Sequence, residues 1–333
     1  MTPAEVAEIK IEGKNKWIAA DTRDSASPYR DNVYVCWTKY DDPLGTQKIM
    51  FKRIWPNAGP IRQVAFGYYG TEAPGTGEIQ LCQVTVGVDG IIYVTWQRLN
   101  NPDIAKIQLK RSFNGGESFE TLAQTVITFS RFPDAYGDCP QEILYPKLWG
   151  CLKGVSGSGI EAIAVHSTAV DTLAYNVHVA YSSYEEATTL ADIRYISGTN
   201  CVIPEAQCDW LTPSVKIVNG NLARDQFDPA ITVSPDSYTI HVTAMDRRNS
   251  VDNTSWRPFH YHCHFASSDC KVQASWYVVG VSTVNSNNFD LQPFIGHYHG
   301  ITTSTAREAD TIWTDTRINL FNQDRNIFGD RLI

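Results

Sequence analysis

Three arginines stand at matching places in the chain. Arg98, Arg247 and Arg317 each lie two to four residues beyond a repeated apolar segment ending in Trp96, Ala244 or Trp313. Asp246 and Asp315 each precede an arginine by two residues. Converging guanidinium groups suit bidentate capture of a carboxylate or sulfate. Carboxylates beside them can hold sugar hydroxyls or serve as general acid and base. The Asp and Arg side chains of adjacent blades can also form ion pairs that lock the ring, so both readings stand. In GHYHG, His297 and His299 share one side of an extended chain and, joined by an aspartate, would match a zinc or copper site; hydrogen-bonded packing is the alternative. Loop carboxylates and carbonyls leave calcium open. In FHYHCHF, His260, His262 and His264 also alternate, and packing or solvent exposure is expected of them. No G-x-S-x-G, H-E-x-x-H or P-loop pattern occurs.

The elements that must position these residues come from a repeat. NVYVCW (32–37), IIYVTW (91–96), NVHVAY (176–181), TIHVTA (239–244) and ADTIW (309–313) read as one strand written five times, at intervals of 59, 85, 63 and 69 residues. A short strand precedes each copy (KWIAAD, LCQVTVGVDG, IEAIAVHS, PAITVSPDS, HGITTSTA), and a polar loop and a further strand follow it (KIMFKRI, KIQLKRS, DIRYIS, FHYHCHF, NIFGDRL). Groups of three and four strands recurring without helical periodicity predict an all-β fold, a β-propeller of four-stranded antiparallel blades. Five blades use the whole chain, 1–333, as a single domain. The leading EVAEIKIEG would supply the last blade's missing strand, and a sixth blade would have to come from Leu122–Gly159.

Hydrophobic residues at 43% are ample for such a core, and a net charge of −8 argues against nucleic acid or an anionic membrane as main partner. No apolar run approaches the roughly 18–20 residues of a membrane helix, so no membrane insertion is expected. The N-terminal MTPAEVAEIKIEG lacks a signal-peptide pattern, which suits either a cytosolic chain or one whose leader has been removed. The eight cysteines favour the second: Cys139/Cys151, Cys201/Cys208 and Cys263/Cys270 are close pairs, and Cys36 and Cys82 remain to bridge neighbouring blades. None has zinc-site spacing, and short loops closed by cysteines suit an oxidising compartment. Asn253-Thr254-Ser255 is an isolated sequon.

One turn connects these strands to a known family. SFNGGESF (112–119) resembles the Asp-box, Ser-x-Asp-x-Gly-x-Thr-Trp, of sialidase-like (BNR-repeat) propellers, and KNKWIAAD, VYVCWTKYDD, DPAITVSPD, MDRR and FIGHYHGI…WTDTR resemble their blade signatures. The resemblance implies six blades more often than five. It also implies that the Asp-box lies on a third-to-fourth-strand hairpin, where it staples the blade and does no chemistry. The loops carrying Arg98, Arg247 and Arg317 then share the opposite face, that of the second-to-third-strand connections. The family's nucleophile is a tyrosine, which implies Tyr298 here. Relatives usually read Gly-Asp-Tyr where this chain has Gly-His-Tyr, and their Arg-Ile-Pro motif is absent, so little sialoside turnover is expected. The reading is a secreted propeller recognising acidic glycans, with an exo-sialidase-type hydrolase as first alternative. A metal-dependent enzyme or a cell-surface interaction module follows.

Overall fold

The computed structural model describes residues 14–21, 27–41, 46–68, 77–87, 89–101, 104–130, 149–153, 159–163, 166–171, 174–185, 188, 190–204, 206–217, 223–236, 238–265, 269–281, 299–303, 308–315 and 326–332. Alternating and β-branched segments become strands, and each sheet is a meander in which sequence neighbours pair. The first sheet runs β1 (Lys14–Ala20), β2 (Val33–Asp41), β3 (Thr46–Trp55), β4 (Arg62–Tyr68); the second runs β5 (Ile79–Val86), β6 (Ile92–Asn101), β7 (Ile104–Ser112), β8 (Gln124–Ser130). A two-stranded hairpin, β9 (Trp149–Lys153) and β10 (Gly159–Ile163), follows. Next come β11 (His166–Val170), β12 (Val177–Glu185) and β13 (Leu190–Thr199), whose outer edge is paired by two short pieces, β14 (Asp209–Trp210) and β15 (Val215–Lys216). The fourth blade is β16 (Gln226–Val233), β17 (Thr239–Asp246), β18 (Arg257–His264), β19 (Tyr277–Gly280). The last is β20 (Gly300–Thr303), β21 (Ala309–Asp315), β22 (Asn326–Leu332).

This is the blade construction of a β-propeller, and the count agrees with five. The β9–β10 hairpin lies partly in the stretch considered for a sixth blade and is a two-stranded sheet among the described residues. EVAEIKIEG lies outside the described residues. All five repeated segments are second strands of their sheets, with a strand on either side; β17 is buried along its whole length, whereas Ile312 of β21 is 56% exposed.

By packing, the chain divides into two compact units, Met1–Arg98 with Ile107–Thr125, and Leu99–Lys106 with Val126–Ile333. The core of the first gathers Tyr34, Phe51, Ile79, Val94 and Trp96. Within it Cys36 of β2 and Cys82 of β5 form a disulfide between two sheets, as the sequence predicts. The core of the second gathers Ile193, Tyr195, Ile240, Val242, Tyr261 and Trp276. Cys201–Cys208 and Cys263–Cys270 close seven-residue spans there. Cys139 lies outside the described residues, and with it the predicted Cys139–Cys151 pair.

The 112–119 turn joins β7 to β8, the third and fourth strands, as the resemblance implies. Ser112 Oγ accepts from Gly116 N at 2.9 Å, and Asn114 Oδ1 accepts from Ser118 N at 2.9 Å. Gly115 and Gly116 hold φ of 65° and 88°, the left-handed region that glycine enters without strain. Phe119 packs edge-on against Phe51 of β3, so the turn fastens to the neighbouring sheet rather than its own. At its base Arg111 and Glu120 form a fully buried, bidentate ion pair.

A second turn of the same build escaped the sequence reading. In SVDNTSW (250–256), Ser250 Oγ accepts from Thr254 N at 2.9 Å and donates to Asp252 Oδ1 at 2.8 Å, and buried Trp256 packs edge-on against Phe227. It joins β17 to β18, the second and third strands, at the other end of a blade.

Candidate functional site

The carboxylates singled out in the sequence divide into two environments. Asp246 ends β17 and is 1% exposed. Its Oδ1 accepts from Arg248 N at 2.6 Å, and its Oδ2 accepts from Arg248 Nε at 2.9 Å and from the Tyr261 hydroxyl. Arg248 in turn stacks over Phe259 at 4.3 Å. Burial and the Asp246 carboxylate hold the Tyr261 phenol well above its ordinary pKa, so that it stays a donor.

Arg247 is fully buried. Its Nη1 donates to Asp225 Oδ2 at 3.2 Å and to the Asn253 carbonyl at 2.7 Å. Asp225 also accepts from Ala191 N at 2.9 Å and from Asn253 Nδ2 at 2.7 Å, and its own N–H donates to Asn253 Oδ1 at 2.9 Å. The amide of the sequon is thus committed to Asp225 on both sides. Arg224 completes the latch, donating to the Val251 carbonyl at 2.7 Å. Here Asp225, just before β16, and Arg247, just after β17, form an ion pair within one blade, where the sequence reading set pairing between adjacent blades beside the ligand clamp.

Arg98, near the end of β6, is partly buried, and desolvation lowers its pKa. Asp315 ends β21, and its side chain is outside the described set; Arg317, His297 and Tyr298 lie outside the described residues.

The second environment surrounds Asp228, a residue the sequence offered only within the DPAITVSPD signature. It sits in β16, the first strand of its sheet, where the register with β17 shifts between Phe227 and Ala230. A β-bulge of this kind re-aims a side chain. Asp228 has φ of 55°, a conformation that costs a non-glycine residue about 1–3 kcal/mol. The same device recurs in two other first strands: Asn15 (φ 52°) at the shift in β1 and Leu81 (φ 57°) at the shift in β5.

The Asp228 backbone is clamped. Its N–H donates to Ser182 Oγ at 3.2 Å, and its carbonyl accepts from His299 Nδ1 at 2.9 Å. A carbonyl only accepts, so His299 carries its proton on Nδ1, and Nε2 accepts from the Thr243 hydroxyl at 3.1 Å. Burial holds His299 neutral, its pKa pushed down to about 4. Both of its ring nitrogens are therefore engaged by protein atoms.

The Asp228 carboxyl, 8% exposed, has its pKa pushed up to about 7 by desolvation. A group so placed is still largely protonated where ordinary aspartates are ionised. Chemically, the Asp246 and Asp225 pairs can hold a loop, whereas Asp228 can give a proton.

The histidines of FHYHCHF lie on β18, the third strand of its sheet. His260 is buried, with Nε2 3.0 Å from His241 Nδ1, and His262 stacks between His260 and Tyr277. Among the described residues no group of three His, Cys, Asp or Glu side chains is arranged to hold a metal ion. A further buried relay, Tyr195–His178–Asp171, has His178 Nδ1 2.7 Å from the tyrosine hydroxyl and Nε2 3.2 Å from Asp171 Oδ2. Neither His178 nor Asp171 reaches solvent appreciably, which suits a packing role.

No protein-family profile and no curated protein matches the chain. Among solved structures, the chain resembles a PL25 ulvan lyase at 10% identity and a TM-score of 0.47, covering 90% of this chain and 64% of the lyase. It also resembles the Penicillium chrysogenum α-L-arabinanase complexed with arabinobiose (9% identity, TM-score 0.49, 96% of this chain and 76% of the other). The Hadza microbial sialidase Hz136 is a third (10% identity, TM-score 0.47, 85% and 52%). The chain thus spans less than two thirds of the length of both the lyase and the sialidase.

Proposed function

We propose that the protein is a glycan-active β-propeller that breaks a glycosidic bond with Asp228 as proton donor. The observation that carries this reading is the desolvated carboxyl of Asp228, held at a strained bulge with its pKa near 7. Glycoside cleavage needs such a group: the carboxyl proton moves to the glycosidic oxygen as its bond to the anomeric carbon breaks. The oxygen of water, or of a tyrosine phenol in a glycosyl-enzyme that water then hydrolyses, forms the new bond to that carbon and gives up its proton to solvent. Tyr298, the nucleophile implied by the sialidase resemblance, immediately precedes His299, which grips the Asp228 backbone. Arg98 and Arg317 are the proposed contacts of an acidic sugar substituent and Asp315 a proposed partner for its hydroxyls, whereas Arg247 and Asp246 are held by Asp225 and by Arg248 with Tyr261. The three disulfides among the described residues support an oxidising, extracytoplasmic setting.

Recognition without turnover is the second reading, favoured by the missing Arg-Ile-Pro motif. A metal enzyme on His297 and His299 draws less support, because His299 already spends both nitrogens. Fluorogenic aryl glycosides, a sialoside among them, decide between the first two. The wild type should release fluorophore, and Asp228→Asn should lose about 10²–10⁴-fold in rate. Full activity in Asp228→Asn would exclude Asp228 as the donor. Saturable glycan binding with no turnover in the wild type would leave the second reading.

A further inference from the structure

Sheets that stack are expected to be apolar on both faces, and the β11–β15 sheet is not. One face supplies Ala180, Ile193 and Tyr195 to the core of the second unit. The other opens into a cavity of about 350 Å³. Tyr181, Ser183 and Glu185 alternate along β12 toward it, and the register places Arg194 opposite Tyr181 and Asp192 opposite Ser183. Lys216 pairs with Arg194 from β15. Across the cavity, Phe129 of β8 lies against Tyr181 with ring centroids 5.1 Å apart.

The charges on this face balance. Lys216 Nζ lies 2.6 Å from Asp192 Oδ2 and 3.8 Å from Glu185 Oε2, and Arg194 Nη2 lies 3.8 Å from Glu185 Oε1. The Asp192 carboxylate is fully buried, while Arg194 and Glu185 remain 25% and 35% exposed, so the cavity can be reached from solvent at their end. The Tyr181 hydroxyl donates to Ser214 Oγ at 2.7 Å, which fixes the ring as part of the wall.

We infer that this cavity is a binding subsite for a neutral sugar unit, separate from Asp228. A pyranose or furanose has an apolar C–H face and a rim of hydroxyls. The Phe129–Tyr181 pair, 6% and 1% exposed, closes the wall of the cavity, so recognition falls to the hydroxyl rim. Arg194 and Glu185 supply a donor fork and an acceptor pair for adjacent hydroxyls, and Ser130 and Ser183 add hydroxyls of their own. An anionic ligand is disfavoured, since it would compete with Glu185 and Asp192 for the same two cations. The volume lies within the roughly 300–1,000 Å³ typical of small-ligand sites. The inference does not rest on the proposed cleavage reaction.

Its test uses the Asp228→Asn chain, which removes turnover and leaves this cavity untouched. Methyl glycosides of glucose, galactose, mannose and arabinose, with the methyl glycoside of N-acetylneuraminic acid as the charged comparison, are titrated by saturation-transfer NMR. At least one neutral glycoside should bind saturably. Arg194→Gln and Glu185→Gln should each weaken it at least tenfold at unchanged melting temperature, and Ser130→Trp, which fills the cavity from its rim, should abolish it. Absence of saturable binding by every neutral glycoside would overturn the assignment. So would binding that survives both Arg194→Gln and Ser130→Trp, or binding confined to the N-acetylneuraminic acid glycoside.

Discussion

Asp246 and Asp228 belong to adjacent strands of one sheet and are both nearly inaccessible, yet they are opposite in chemistry. Asp246 spends its oxygens on Arg248 and Tyr261, and its neighbour Arg247 is spent on Asp225 and Asn253. Around Asp228, Ser182 and His299 hold the backbone, and desolvation dominates the carboxyl. Density of charge in a sequence marks where a loop is fastened.

Breaking the fastened side should have the largest effect. Arg247→Ala leaves the Asp225 carboxylate buried without its guanidinium, and stability should fall by about 3–5 kcal/mol in denaturant unfolding. If Arg247 instead served chiefly to clamp a sugar carboxylate, the midpoint would hold and only ligand affinity would fall.

The contrast at Asp228 is read through pH. Its folded pKa is raised above the unfolded value, so between about pH 4 and pH 7 the native state binds more protons than the unfolded chain. Stability from this group therefore declines as pH rises through that window. Asp228→Asn removes the decline, and its stability gain over wild type should grow from near zero at pH 4 toward at most about 4 kcal/mol at pH 7. The buried histidines slope the other way. His166, His241, His260 and His299 have pKa values pushed down to about 3–4, so they withdraw stability as pH falls below about 6.5 in both proteins. The difference between the two pH curves isolates Asp228. A gain that is flat with pH would mean that Asp228 is ionised like any surface aspartate.

A smaller change sharpens the fastened side alone. Tyr261→Phe deletes one donor to Asp246 while Arg248 remains, and about 1.5 kcal/mol should be lost with catalytic rate unaffected. The smallest expected effect is at the turns. Ser112→Ala and Ser250→Ala each remove an acceptor for a turn N–H and should cost about 1 kcal/mol apiece, by thermal melting. A loss of turnover from either would mean that the motif does more than staple.

Much of the fold was legible because a strand repeat and a periodicity of two survive in the sequence without any long-range information. All five second strands and the Cys36–Cys82, Cys201–Cys208 and Cys263–Cys270 pairs were readable in this way. The turn at 112–119 was legible because its two glycines punctuate it. Its counterpart at 250–256 was not: it lacks both glycines, is one residue shorter, and uses Asn253 at φ 62° where glycine would be expected. Asp228 was illegible for a different reason. Nothing in FDPA announces a bulge, and a proline after Asp228 reads as ordinary extended chain. Its character comes from Ser182 and His299, 46 and 71 residues away. The arginines were visible and their partners were not, since Asp225 and Asn253 reach Arg247 only once the β16–β17–β18 meander has formed.

The pH dependence of kcat/KM on an aryl glycoside reports most directly on whether the Asp228 proton is the one transferred. With Asp228 as donor, the rate is highest while the carboxyl is protonated and falls tenfold per pH unit above about 7. A rate that climbs through pH 7 to 9, or one indifferent to pH across that range, would contradict it.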